Sequence, residues 1–136
     1  MPFFKIKKGY IYYDYKEQGV VADYMILMGY DEHWGGSDDP GSTASQPFVE
    51  RSIENVLNRV PAEKVINALP FYTRLWKTSG ETVTDQAISM KNIENNVSAL
   101  GMKIDFDPES GMKYASAEKD GALYEMWIED YASIEN

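Results

Sequence analysis

Residues 30–34, Tyr30-Asp31-Glu32-His33-Trp34, place a phenol, two carboxylates, an imidazole and an indole in consecutive positions, with Gly35 and Gly36 behind them. These side chains donate to, accept from or stack on polar ligands. They end an apolar run, Tyr24-Met25-Ile26-Leu27-Met28. A second run, Val65-Ile66-Asn67-Ala68-Leu69-Pro70-Phe71, ends the same way, in Tyr72, Thr73, Arg74, Leu75 and Trp76. His33 is the only histidine and there is no cysteine. A lone imidazole without a second ligand nearby is a poor zinc site, so no metal is expected.

The elements that must position these groups can be read from the flanking pattern. Short, continuous apolar runs suit strands buried on both faces, as in a parallel sheet covered by helices. Between them, residues 35–47 hold nearly every loop-forming residue type. A helix should follow, capped by Ser45, with Pro47 in its first turn and Glu50 near its positive end. Phe48, Val49, Ile53, Val56, Leu57 and Val60 make its apolar stripe, and Pro61 stops it. Strand, loop, helix, strand is a crossover unit with parallel strands. Both carboxyl ends then lie on one side, bringing Tyr30 to Trp34 near Tyr72, Arg74 and Trp76, where sheets of this class bind ligands. Upstream, residues 10–23 mix aromatics and acids, with a turn or short helix before Ala22.

The second half changes character. Ser89 to Leu100 reads as a helix with Met90, Ile93, Val97 and Leu100 on one face and Gly101 as its end signal. Three short strands follow: Lys103 to Phe106, Met112 to Ala117 and Ala122 to Ile128. The last two pair across Lys119-Asp120-Gly121, a strong hairpin signal. This predicts a small α+β lobe with an antiparallel sheet.

Length and composition bound the reading. At 136 residues with 43% hydrophobic content, the chain can build a real core and is short for two full domains. A net charge of −9 argues against binding nucleic acid or an anionic membrane surface. Ten tyrosines and three tryptophans exceed what a minimal core needs, which suits either a binding groove or dense packing. Residues 1–8 lack the apolar segment of a signal peptide, and no window approaches a membrane span, so this chain is expected to stay where it is made.

The two strand-end motifs resemble a known family. Met28-Gly29-Tyr30-Asp31 is similar to the Met-x-Tyr-Asp signature on the sixth strand of glycoside hydrolase family 18, the chitinase-like barrels. Leu69-Pro70-Phe71-Tyr72-Thr73-Arg74-Leu75-Trp76 resembles the family's seventh-strand motif. Taken with Tyr30 to Gly36, it looks most like the bacterial branch that acts on cell-wall or spore-cortex peptidoglycan. Residues 77–131 resemble the α+β lobe inserted after the seventh strand, with 124–130 as its last strand. Asn67-Ala68 stands where the family commonly has a glycine. The family's fourth-strand Asp-x-x-Asp-x-Asp-x-Glu motif has no counterpart here, nor does its eighth strand.

The resemblance implies a partial (β/α)8 TIM barrel over residues 1–76, comprising strand 6, helix 6 and strand 7, with the inserted lobe over 77–136. It also implies substrate-assisted retention, in which the sugar's acetamido oxygen attacks its own anomeric carbon and no protein carboxylate is the nucleophile. Tyr30 would then hydrogen-bond the acetamido oxygen. Asp31 and Arg74 would hold sugar hydroxyls, while Tyr72 and Trp76 would line the groove. For Trp34, stacking on a sugar and plugging the loop both stay open. Arg74 could instead form an ordinary ion pair with Asp31 or Glu32. Glu32 is the one carboxylate placed to stand in for the missing acid, but it follows the wrong strand for that chemistry.

No cofactor is implied. The expected ligand is a polysaccharide containing N-acetylglucosamine. The chain could be a glycosidase fragment inactive alone, a non-catalytic binding module, or a segment without independent function. A parallel pair leaves open edges and an apolar face, so the lobe and residues 3–15 should cover them, or chains should associate as a homo-oligomer.

Overall fold

The computed structural model describes residues 14–135. It begins with a short helix, α1 (Tyr15–Val21), whose N-terminus is capped by the Asp14 carboxylate accepting from the Lys16 and Glu17 amides at 3.1 and 3.2 Å. Its other end is held by Lys64, which donates to the Gly19 and Ala22 carbonyls at 2.7 and 2.9 Å. Gly19 packs on Val60, and an added Cβ would lie 3.2 Å from that side chain.

Strands β1 (Met25–Met28) and β2 (Val65–Ala68) pair in parallel, Met25 opposite Val65 and Met28 opposite Ala68. The crossover helix between them, α2 (Gln46–Leu57), starts as the sequence predicts: the Ser45 hydroxyl accepts from the Phe48 amide and Pro47 sits in the first turn. Phe48, Ser52, Val56 and Val60 are buried. Leu57, placed on the stripe, is exposed.

The expectation that both runs are buried on two faces is corrected. Burial alternates along β1, leaving Ile26 68% and Met28 61% exposed, and Ile66 of β2 is exposed as well. One helix covers one face of two strands. Among the described residues nothing covers the other, and the part played by residues 3–13 lies outside them.

The second sheet has five antiparallel strands in the order β4-β3-β7-β6-β5, from β3 (Tyr72–Ser79), β4 (Thr82–Ser89), β5 (Lys103–Asp107), β6 (Met112–Lys119) and β7 (Ala122–Ile128). The β6–β7 hairpin turns at Asp120-Gly121, both at positive φ (52° and 75°), the two-residue turn that matches strand twist. The β3–β4 hairpin was not foreseen. It runs the lobe's sheet back to Tyr72, so the division expected after Trp76 falls inside a strand. Helix α3 (Ile93–Leu100), preceded by a 3-10 turn over 90–92 and ended by Gly101 at φ 64°, lies on one face. There Ile88, Ile93, Met102, Ala115, Met126 and Ile128 form the core.

After β7 the chain enters a last short helix, α4 (Tyr131–Glu135). Glu129, between them, is only 3% exposed. The Ser133 hydroxyl donates to its Oε2 at 3.1 Å, and its Oε1 has no partner among the described residues. Burial raises this carboxyl, the Ser133 hydroxyl opposes, and the Asp130 charge adds, leaving it pushed up from an ordinary 4.5 to about 7. The folded chain therefore binds this proton more tightly than the unfolded chain. The stability so conferred is complete below the unfolded value and is lost as pH rises through about 7, an effect of about 3 kcal/mol. Urea denaturation between about pH 5 and pH 8 should show wild-type stability falling and Glu129→Gln nearly level, the variant being the more stable at the alkaline end. A level wild-type profile would show that Glu129 carries no such load.

Candidate functional site

The site begins where β1 stops. Gly29 is buried, and an added Cβ would stand 3.1 Å from the Asn67 Oδ1. Asp31 then adopts a left-handed backbone, φ 61°, which aspartate tolerates better than most side chains and which throws the chain sharply off the strand line. From there residues 31–45 form a closed loop. The Glu32 and His33 amides donate to the Thr43 and Ser42 carbonyls at 2.9 and 3.3 Å, tying its two limbs together. Glu32 Oε2 accepts from the Ser42 hydroxyl and the Ser45 amide, both at 3.0 Å. This carboxylate braces the loop and the start of α2, which removes it as a stand-in acid. His33 Nδ1 lies 2.9 Å from the Asp39 carbonyl. A carbonyl only accepts, so Nδ1 carries the proton.

The loop folds over one face of the second sheet. Trp76 is the centre of that contact, at 0% exposed, with its indole N–H donating to the Gly41 carbonyl at 2.8 Å. Gly41 has no room for a side chain, because a Cβ would lie 2.3 Å from the His33 ring. The Gln46 amide adds a bond to the Ser110 carbonyl at 2.9 Å. Trp76 was expected on the groove wall; full burial corrects this. Its indole face is covered by residues of its own chain and offers nothing to a ligand.

Tyr30, Asp31, Tyr72 and Arg74 do come together. The Tyr72 hydroxyl donates to Asp31 Oδ1 at 2.5 Å, and Arg74 Nη2 approaches the same oxygen at 3.4 Å. The Tyr30 ring meets the Tyr72 ring edge-on, 6.4 Å between centroids. Burial first, then the Asp31 hydrogen bond and charge, hold the Tyr72 hydroxyl well above its ordinary value, so it is a neutral donor across the physiological range. Arg74 also lies against the Tyr72 ring, 5.8 Å from the centroid.

The sequence reading missed Asp85. Its Oδ2 takes Arg74 Nη1 at 2.6 Å, a stronger pairing than the anticipated one with Asp31. Burial works against the guanidinium charge, but Asp85 and then Asp31 outweigh it, so Arg74 is held above its ordinary value. Asp85 stands opposite Trp76 on β4 and reaches Arg74 diagonally across the hairpin. Without that hairpin in view, a single acid in Thr82-Val83-Thr84-Asp85-Gln86 carried no signal.

Trp34 is 45% exposed and rides on a tight turn, the Ser37 amide donating to the Trp34 carbonyl at 3.1 Å. Gly36 at φ 83° occupies the position where such a turn needs positive φ. Together these groups form a rim where β1 and β3 meet: two phenols, a half-exposed indole, a mostly buried guanidinium and two carboxylates. Such a set hydrogen-bonds hydroxyls and amides and stacks on apolar sugar faces.

Comparison with known proteins gives the family. The family model for the glycosyl hydrolases family 18 matches residues 2–136, and the chain belongs to that family. A Bacillus subtilis (strain 168) protein designated a sporulation-specific glycosylase, YdhD, is 32% identical over 124 residues, covering 90% of this chain and 29% of that protein. Its crystal structure superposes with a TM-score of 0.81 at 30% identity, over 90% of this chain and 41% of that one. The cortical fragment-lytic enzyme of the same strain is 30% identical over 134 residues, again covering 90% of this chain and 29% of the relative. A chitinase structure from Chromobacterium violaceum matches at TM-score 0.77 and 26% identity, over 90% of this chain and 38% of that one. The resemblance to spore-associated members of the family is thus met, and the fold is a mixed α/β one of the chitinase-like type. The chain spans about 29% of the length of these curated relatives.

Proposed function

We propose that this chain forms the sugar-contacting end of a family 18 glycosidase domain whose ligand is a polymer of peptidoglycan or chitin type containing N-acetylglucosamine. In this reading the β1–α2–β2 unit is the sixth strand, sixth helix and seventh strand of a (β/α)8 barrel, and the five-stranded sheet with α3 is the lobe walling its groove. The observation that carries it is the Tyr72–Asp31–Arg74 network, which joins the end of β1 to β3 and leaves Tyr30 and Trp34 at its rim.

The chemistry follows from what these groups can do. The Tyr30 hydroxyl is a neutral donor for an acetamido oxygen, able to orient that oxygen toward the anomeric carbon without trapping a charge. Asp31 and Arg74 hold hydroxyls, and Trp34 offers the stacking surface. The remaining requirement, an acid to protonate the leaving oxygen, is not supplied: Glu32 is committed to the loop, and the family's acid-bearing motif is absent from this sequence. The chain alone should therefore bind without turning over, which also describes a non-catalytic binding module.

Titration with short N-acetylglucosamine oligomers, followed by tryptophan fluorescence, tests this. A saturable change is expected in the wild type and should vanish in Trp34→Ala, since Trp34 is the half-exposed indole of this rim. A flat titration of folded wild type would overturn the groove. Measurable hydrolysis abolished by Tyr30→Phe would overturn the assignment as binding only.

A further inference from the structure

Asp85 makes two contacts that belong to different parts of the rim. Its Oδ2 pairs with Arg74 Nη1 at 2.6 Å, while its Oδ1 accepts from the Gly36 amide at 2.8 Å, inside the turn that carries Trp34. The turn also rests on the guanidinium itself. A Cβ on Gly35 would sit 2.7 Å from Arg74 Nη1 and 3.3 Å from the Asp85 carboxylate, so the backbone there is laid flat against the ion pair. Trp34 is half-exposed on this turn, next to His33, whose amide ties the loop's two limbs together. The Asp85 side chain is 12% exposed and that of Arg74 14%, so water screens the pair little.

The same arrangement sets the charge of the site. One guanidinium lies between two carboxylates, Asp85 at 2.6 Å and Asp31 at 3.4 Å, and the three groups together carry one net negative charge. A carboxylate on a ligand would find no unneutralised cation here and would face two like charges. Hydroxyls and amides meet no such penalty.

Resting on the sugar-groove reading above, we propose that Asp85 is a positioning residue for this site. It locks Arg74 and the Trp34 turn in one arrangement and makes the rim select uncharged sugar units over units bearing a carboxylate. Asp85 need not touch the sugar; it acts through the two groups that do.

The test uses the full chain as wild type, Asp85→Ala and Asp85→Asn, each compared with a counterpart that also carries Trp34→Phe, so that the Trp34 signal is obtained by difference. Without ligand, acrylamide quenching of Trp34 should rise about twofold in Asp85→Ala, with far-UV circular dichroism unchanged. Asp85→Asn keeps an acceptor for the Gly36 amide and should hold quenching near wild type. Affinity for N-acetylglucosamine oligomers should fall about tenfold in Asp85→Ala and less in Asp85→Asn. For oligosaccharides of alternating N-acetylglucosamine and N-acetylmuramic acid with free carboxylates, wild type should bind about tenfold more weakly than for the neutral oligomers. Both variants should narrow that ratio. Rescue by Asn of the quenching but not of the ratio separates the turn contact from the charge. Unchanged quenching and affinity in a folded Asp85→Ala would overturn the positioning role, and equal wild-type affinity for both sugars would overturn the selectivity. Should wild type bind neither sugar, the groove reading fails and takes the selectivity with it, while the quenching series still decides whether Asp85 holds the turn.

Discussion

Replacing Trp76 by Ala is expected to cost about 3–5 kcal/mol of folding stability, the range for deleting a large buried aromatic side chain. Trp76 is fully enclosed, and its indole N–H satisfies the Gly41 carbonyl at 2.8 Å. Truncation leaves both a cavity and an unmatched carbonyl. The loss should appear as a lower urea midpoint and a lower thermal midpoint. Trp76→Phe should recover the packing but not the hydrogen bond, and so fall between. The direction of the effect distinguishes two roles for this side chain. An aromatic on a groove wall would lower sugar affinity when removed and leave stability nearly unchanged. A loop anchor does the opposite first, and disturbs affinity only because the 31–45 loop loosens. A Trp76→Ala chain as stable as wild type, with affinity alone reduced, would return Trp76 to the groove.

The misplacement of Trp76 shows what local pattern can and cannot convey. Tyr72, Arg74 and Trp76 alternate with Thr73, Leu75 and Lys77, and in a strand that alternation puts the first three on one face of the sheet. Read as a strand end instead, the same residues looked like a cluster of ligand groups. What decides between burial and exposure is the loop 31–45 lying over that face. The sequence marks those residues as a loop but does not say where it lands. The two parallel strands, the crossover helix with its Ser45 cap, the α3 terminus at Gly101 and the Asp120-Gly121 hairpin were legible, while α2 ends at Leu57, short of the Pro61 expected to stop it. The caps and the turn rest on backbone chemistry within a few residues, and the strands on their apolar runs. The exposed face of Ile26, Met28 and Ile66 was not, because a continuous apolar run states that a strand can be covered twice, not that this chain covers it. Asp85 was hidden for a third reason. Its meaning depends on register with β3, and Thr82–Ser89 is polar enough at its outward positions to pass for a loop.

The pairing of Asp85 also makes Arg74 the second position where substitution should be costly. Arg74→Met retains much of the side-chain volume but leaves Asp85, 12% exposed, and Asp31, 28% exposed, without their cation. Breaking a well-buried pair from one side costs about 3–5 kcal/mol. The partial exposure of these groups places the expectation nearer about 3 kcal/mol. Arg74→Lys should not rescue it, since one ammonium cannot reproduce a planar fork that reaches Asp85 with one nitrogen and Asp31 with the other. The informative partner is Arg74→Met combined with Asp85→Leu. If the cost arises from a stranded carboxylate, removing that carboxylate should return much of the lost stability, giving a coupling energy well above the few tenths of a kcal/mol found for independent sites. Sugar binding should stay lost in both the single and the double variant, because neither restores the guanidinium at the rim. Urea denaturation of the four proteins of the cycle, alongside oligomer titration, reads both quantities. Additive losses with binding intact would make Arg74 an ordinary surface ion pair, and the joint between β1 and β3 would then rest on Tyr72 and Asp31 alone.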